Sequence, residues 1–368
     1  MAPTYKNVHN RFKLNGLSFS REELKEVGYS LVKEGEDYEK SIGDFLLDWL
    51  SDTSTLQVKT SGSTGTPKLI NLQKQLMVNS AMATGDFFKT SVGNSALLCL
   101  PCDYIAGKMM LVRAMILGWA LDYVQPTSQP LATTSKTYDF AAMVPMQLSA
   151  SLDKMDQIKT LIVGGAPITH GLREMIKDIR TNVYETYGMT ETVTHVAAKK
   201  LTTGLGPSPG PIQSSFKALP NITFSKDQRG CLVINAPHLN IEKVETNDIV
   251  DLCSDTEFQW LGRYDHIVNS GAIKLIPEQI ETKLSPILDT RFFTIGMEDS
   301  DLGNKLVLIV EGENDEEAIL KKIHSSSVLE KYEIPKRVYT LDRFSETANG
   351  KVLRHKNLER VLLDHHKD

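Results

Sequence analysis

The chain has 368 residues, 41% of them hydrophobic and 24% charged, an ordinary globular mix that excludes a fibrous, collagen-like or wholly disordered protein. The length predicts two or three domains. Its 41 basic against 46 acidic residues give a formal charge of −5, which leaves no electrostatic footprint for duplex nucleic acid.

In chain order, Ser20-Arg-Glu-Glu23 has capping-box spacing and predicts a helix start. Residues 56–60 and 68–72 read as short strands around a Gly-rich turn, and 74–88 as a helix. Residues 96–100 read as a buried strand and 106–118 as a largely apolar helix. Further strands are expected at 138–144, 160–163 and 182–187, with helical segments between them. This alternation predicts an α/β domain with mostly parallel, buried strands. Residues 201–215 are rich in Gly and Pro and are expected to be a loop. Short β-like runs at 222–225, 231–235, 249–252 and 257–261 predict a small antiparallel β unit. The remainder reads as a small α+β domain, with strands at 292–296, 305–310 and 337–341 and helices at 277–284, 315–324 and 356–363.

The first residues, Met1-Ala-Pro-Thr-Tyr-Lys-Asn, lack the apolar stretch of a signal peptide. The longest near-apolar run, 109–121, is interrupted by Arg113 and is too short to span a bilayer. Four cysteines in a chain of this length are not a disulfide framework, so a reducing cytoplasm is expected. Cys99-Leu-Pro-Cys102 has redox or zinc spacing, but no second such pair completes a four-ligand site. Small buried thiols at a strand end are the expectation.

The most informative stretch is Thr60-Ser61-Gly62-Ser63-Thr64-Gly65-Thr66-Pro67-Lys68. Its glycines let backbone N–H groups converge on a phosphate. Its hydroxyls add donors, and Lys68 adds a positive charge. It is not a Walker A loop, because no Gly-Lys-[Ser/Thr] follows. A Ser/Gly-rich surface turn is the other reading of such composition.

This nine-residue run resembles the phosphate loop of the adenylate-forming superfamily: acyl- and aryl-CoA synthetases, peptide-synthetase adenylation domains and firefly luciferase. Four further stretches resemble that family in the same order. Val163-Gly164-Gly165-Ala166-Pro167 is similar to its adenine-site loop. Tyr187-Gly188-Met-Thr190-Glu191 is similar to its aromatic-Gly-x-Thr-Glu motif. Residues 262–281 resemble its hinge motif, and Thr347-Ala-Asn-Gly-Lys351-Val-Leu-Arg354 its catalytic-lysine motif.

The resemblance implies roles. Tyr187 would stack on adenine, and Glu191 would hold Mg²⁺ bridging the ATP phosphates. Asp248 would take the ribose hydroxyls, although the usual preceding Arg-Thr-Gly is Glu245-Thr-Asn here. Arg263 would be a second ribose or phosphate contact, and Lys351 the catalytic cation. It also implies an ATP- and acid-binding domain over 1–264, with its β unit at 216–262, and a mobile domain over 265–368. Asp265 would be the hinge, with Ser270 and Gly271 beside the coenzyme A channel. The phosphate loop begins near residue 60, much earlier than in typical members, so most of the first N-terminal subdomain is expected to be absent or reduced.

The acid pocket is expected between residues 100 and 144 and around Gly188 and Thr192. Tyr104 stands where the family usually has His. Arg113 sits at the spacing where o-succinylbenzoate–CoA ligases of menaquinone synthesis carry an Arg. Buried on an apolar helix, it needs an anionic partner. A dicarboxylic acid could supply one, clamped bidentately with help from Lys108. An internal salt bridge, or a side chain reaching to the surface, is the alternative. The resemblance therefore implies an ATP-, Mg²⁺- and coenzyme A-dependent ligase for a small carboxylic acid, o-succinylbenzoate first. Another acyl or aryl acid, a carrier-protein thiol, and nucleotide binding without turnover stay open as alternatives, and so does a homo-oligomer.

Overall fold

A computed structural model describes residues 2–59, 69–203, 211–347 and 350–365. The chain divides into two compact units. Met1–Ile168, Met175–Thr223 and Ile234–Val244 form the first; Thr169–Glu174, Phe224–Val233 and Glu245–Asp368 form the second.

In the first unit a two-residue strand, β1 (Lys13–Leu14), precedes α1 (Arg21–Glu34) and α2 (Asp37–Leu50). The capping box forms as expected: Glu23 N donates to Ser20 Oγ at 3.2 Å, and Ser20 N to Glu23 Oε2 at 2.7 Å. These bonds satisfy two donors that a helix start leaves open. The hairpin β2 (Thr55–Lys59) and β3 (Leu69–Gln73) is antiparallel, with Lys59 opposite Leu69 at its end. α3 (Lys74–Phe88) has the expected bounds.

There follow β4 (Ser95–Leu98), α4 (Ile105–Leu117), β5 (Ala120–Tyr123), β6 (Tyr138–Met143), α5 (Pro145–Ala150), β7 (Ile158–Val163), α6 (His170–Ile176), β8 (Asn182–Gly188), β9 (His195–Lys200) and β10 (Phe216–Ala218). The strands run in the order β1-β5-β4-β6-β7-β8-β9-β10. They are parallel from β1 to β8, and β9 and β10 are antiparallel. Leu97, Phe140, Leu161 and Val183 are buried on successive strands of this sheet, as expected where both faces are covered.

β11 (Thr223–Lys226), β12 (Cys231–Ala236), β13 (Ile241–Ser254) and β14 (Glu257–Arg263), of which residues 224–233 and 245–263 belong to the second unit, lie in the order β14-β13-β12-β11. β13 and β14 form an antiparallel pair. A separate sheet contains β15 (Val268–Ser270), β16 (Ile273–Leu275), β17 (Phe292–Asp299), β18 (Gly303–Glu311) and β19 (Arg337–Leu341). Its order is β16-β15-β18-β17, with β19 parallel to β18. α7 (Pro277–Leu284), α8 (Glu316–Ser326) and α9 (Arg354–His365) accompany it. β18 alternates between two cores. Leu306, Leu308 and Val310 join Ile319 and Ile323 of α8, while Val307 and Ile309 join Phe293, Tyr339 and Val361.

Cys99 and Cys102 are buried, and burial pushes both thiols up to about 12, which leaves them unreactive. Among the described residues no helix is long and apolar enough to cross a membrane.

Candidate active site

The residues expected to carry chemistry gather in each unit separately. Thr60, Ser61, Gly62, Ser63, Thr64, Gly65, Thr66 and Lys68 lie outside the described residues; the hairpin strands on either side end at Lys59 and begin at Leu69.

In the first unit, Gly164, Gly165, Ala166 and Pro167 follow β7 directly. Gly164 N donates to Met143 O at 3.2 Å, and Thr186 Oγ1 to Val163 O at 3.1 Å. This loop therefore leaves the carboxyl end of a parallel strand, where open α/β sheets place ligands. Tyr187 closes β8, its ring 5.8 Å from Phe216. Gly188 lies opposite His195 at a register shift in the β8–β9 pair. A Cβ there would lie 2.4 Å from Thr194 O and 2.5 Å from His195 Cα, so this approach of the two strands requires glycine.

Thr190, Glu191 and Thr192 form one turn of 3₁₀ helix, with Glu191 exposed and Thr192 buried. Thr192 Oγ1 accepts from Met189 N at 3.0 Å and lies 2.8 Å from Thr194 O. Its hydroxyl closes the turn. Val193, next in sequence, has φ 67 and ψ −54, and Thr194 N donates back to Thr192 O at 2.7 Å. This is the rare, strained form of γ-turn, more costly still for a β-branched residue.

The turn delivers Thr194 and His195 to Arg113. Arg113, on α4, is 2% exposed. Its Nη2 lies 3.2 Å from Thr194 Oγ1 and 3.3 Å from His195 Nδ1, and its Nε donates to Thr84 Oγ1 at 3.4 Å. Nη1 has the Met110 sulfur at 3.7 Å. Neither structural alternative for this Arg holds: the side chain does not reach the surface, and no carboxylate pairs with it among the described residues. Burial alone draws the guanidinium down to about 9. His195 is held well below the usual histidine range, by burial first and by the charge of Arg113 second. Lys108 turns elsewhere: its Nζ lies 5.2 Å from the Phe45 ring centroid, and burial lowers its pKa. Five residues along a helix is about 140° of rotation, which separates it from Arg113. Tyr104 is the N-cap of α4 and is exposed.

In the second unit, Asp248 on β13 pairs in register with Arg263 on β14. Asp248 Oδ1 accepts from Trp260 Nε1 at 3.1 Å and lies 3.8 Å from Arg263 Nη1. Arg263 also forks onto Asp265 at 2.9 and 3.0 Å. That hydrogen bonding is the main reason the Asp265 carboxyl sits below its ordinary range. Lys351 carries its ammonium into the field of the same three residues. Loss of surrounding water and then the Arg263 charge lower its pKa, while Asp248 and Asp265 oppose them. The loop holding Lys351 is tied by Thr347 N to Lys351 O at 2.9 Å and Gly350 N to Thr347 O at 2.9 Å. Asp248, Arg263, Asp265 and Lys351 are thus brought together.

Beside them lies an ionic cluster. His266 Nδ1 is 2.5 Å from Glu278 Oε1, Glu278 Oε2 accepts from Arg263 N at 3.4 Å, and Arg354 binds Glu281. Gly262, at φ 158, has no room for a side chain: a Cβ would lie 2.5 Å from Glu278 Oε2. Ser270 ends β15, and Gly271 N donates to Leu302 O at 2.8 Å.

Sequence reasoning missed Thr84, Thr194, His195, Trp260 and the Glu278–Glu281–Arg354 group. Two signals were present. Trp260 shares the two-residue spacing of Phe258 and Gly262 along a strand, and His195 follows the Tyr187–Thr192 motif within one turn.

The mixed α/β fold is that of the adenylate-forming enzymes. Residues 51–222 match the family model described as AMP-binding enzyme. An acyl-CoA synthetase (AMP-forming)/AMP-acid ligase II-like protein from Dyadobacter fermentans is 36% identical, with 92% of this chain and 98% of that one covered at a TM-score of 0.60. The chain belongs to the AMP-binding enzyme family. A 2-succinylbenzoate–CoA ligase of Enterococcus faecalis is 24% identical over 329 residues, 81% of this chain and 67% of the relative. The o-succinylbenzoate coenzyme A synthetase of Bacillus subtilis, solved with ATP and magnesium, shares the fold at a TM-score of 0.69 and 18% identity, covering 92% of this chain and 82% of that one.

Proposed function

We propose that the protein is an ATP-dependent acid–CoA ligase for a dicarboxylic aryl acid, with o-succinylbenzoate the favoured substrate. The observation that carries this is Arg113, a buried guanidinium with only neutral partners among the described residues. A buried cation without a counter-charge is costly, and a second substrate carboxylate would neutralise it. The relatives named for this substrate support the reading.

In the first half-reaction the substrate's other carboxylate attacks the α-phosphorus of ATP. Pyrophosphate leaves and an acyl-adenylate stays bound. Lys351 stabilises the charge that develops between the α-phosphate and the attacking oxygen. Asp248, held by Trp260, accepts from the ribose hydroxyls. Tyr187 would offer its face to adenine and Gly164–Pro167 would line the base, while residues 60–68 carry the hydroxyls and the lysine that suit phosphate. Glu191, exposed and single, suits Mg²⁺, which takes one or two carboxylates and completes its shell with phosphate oxygens and water; the ion would neutralise phosphate charge. Among the described residues no group of three or more metal-ligating side chains forms an alternative cage. In the second half-reaction the segment after 264 turns about Asp265 and withdraws Lys351. The CoA thiol then passes Ser270 and Gly271 and attacks the mixed anhydride, releasing AMP.

The test is pyrophosphate release across a panel of carboxylic acids, with CoA and a carrier-protein thiol offered separately. Release and thioester formation with o-succinylbenzoate and CoA is the expected result. Turnover confined to monocarboxylic acids, or to the carrier protein, would overturn the assignment.

A further inference from the structure

The Arg113 guanidinium has its stronger acceptors at Nε and Nη2 and only a weak one at Nη1. Nε and Nη2 face the neutral acceptors Thr84 Oγ1, Thr194 Oγ1 and His195 Nδ1, while Nη1 faces a thioether, a weak acceptor. A carboxylate arriving at Nη1 would find donors not already spent. Its orientation depends on what holds the opposite edge.

We propose that His195 is a positioning residue for acid recognition: its Nδ1 accepts from Arg113 Nη2 and fixes the guanidinium with Nη1 free for a substrate carboxylate. This inference rests on the proposed reading of Arg113 as the acid clamp. A ring that accepts at Nδ1 carries its proton on Nε2. Nε2 is buried and has no partner among the described residues, so among them the side chain is satisfied on the Arg113 side alone. Phe88 packs edge-on at 6.2 Å and restricts the ring. The strained Val193 turn and the bulge at Gly188 set the start of β9 so that His195 reaches α4. Such strain persists where surrounding structure over-determines it, commonly at functional sites. The subsite so described takes a carboxylate, a singly charged planar anion. Fixing the guanidinium should affect diacids and leave monoacids untouched.

The experiment compares kcat/KM for o-succinylbenzoate and for 4-oxo-4-phenylbutanoate, the same acid without its ring carboxylate, in wild type, His195→Leu, His195→Asn and Arg113→Leu, each with a melting curve. His195→Leu should lower the diacid preference by about ten- to hundred-fold, the usual worth of a hydrogen bond to a charged group. His195→Asn, whose amide oxygen can stand near the Nδ1 position, should restore most of it. If His195→Leu does not fold, His195→Asn against His195→Gln carries the test, since Gln places its acceptor nearer the Nε2 position and should lose the preference. An unchanged preference in His195→Leu, or in Gln as well as Asn, overturns the proposal. If Arg113→Leu abolishes the preference while His195→Leu keeps it, only the role of His195 fails. If Arg113→Leu also keeps it, the acid-clamp reading fails with it.

Discussion

Arg354 grips Glu281 through both terminal nitrogens, at 2.7 and 2.8 Å, only three residues beyond Lys351. The same guanidinium donates to Thr294 O at 2.9 Å and stands 3.5 Å from Glu278. The loop that presents Lys351 therefore springs from a largely buried, fully paired cation. Arg354→Met should leave two neighbouring carboxylates without their counter-charge. Breaking such a pair typically costs about 3–5 kcal/mol. Urea unfolding should show that loss with an unchanged slope, and adenylation should fall with it.

The same cluster sets a pH dependence. Burial acts to raise the Glu278 carboxyl, but the His266 hydrogen bond and the Arg354 charge outweigh it, and the net shift is downward. For an acid lowered by folding, the unfolded chain takes up the proton first on acidification. The stabilisation is therefore complete above the ordinary value of 4.5 and is lost as pH falls below it. Glu278→Gln should flatten this part of the Tm–pH curve between pH 6 and 3. A mutant curve parallel to wild type would remove Glu278 from the account.

Lys351→Ala should reduce adenylate formation by about 10²–10³-fold, the usual cost of losing one transition-state donor. It should still convert supplied acyl-adenylate and CoA to thioester. Pyrophosphate exchange and thioester release, measured separately, make the comparison. Equal losses in both would mean that Lys351 does not leave the site between steps.

Arg113 separates stability from function. Arg113→Met replaces a buried charge that burial disfavours, so the free protein should melt at the same temperature or higher. The wild type should gain stability from o-succinylbenzoate with ATP by mass action, and the mutant should gain little. A mutant that melts well below wild type would make Arg113 structural.

Thiol chemistry gives a direct check on the core. Cys99, Cys102 and Cys231 are buried, and Cys253 is exposed. Iodoacetamide at pH 8 should add one group to the native protein, at Cys253, and four after denaturation, read by intact mass. Rapid native labelling of Cys99 or Cys102 would contradict the strand-end packing.

Much of this was legible in the sequence because it rests on local signals. α3, α7 and β19 have the expected bounds, each being a periodic run with clear ends. β9 was not expected: His-Val-Ala-Ala-Lys-Lys has weak β preference, and its pairing with β8 makes it a strand. β13 runs over fourteen residues where four were expected, because Glu, Lys and Asn on its outer face hide the alternation. The motifs located Asp248, Arg263 and Lys351 individually. The sequence put Trp260 on a strand and His195 just after a motif, but not what they touch, since each acts through a contact across strands or between a strand and a helix, which spacing along the chain does not encode.

The two-residue strand at the start of the chain has a wider consequence. Lys13 and Leu14 pair with β5, and His9 N, Lys13 N and Asn15 N donate to Met115, Trp119 and Leu121 carbonyls at 2.8, 3.1 and 2.9 Å. Asn15 and Gly16, both at positive φ, then turn the backbone away. The outer rim of the parallel sheet is thereby closed by a staple too short to template a second molecule. Residues 9–15 thus cover the β5 edge, and a tag or cut placed there should expose the backbone donors and acceptors of that rim.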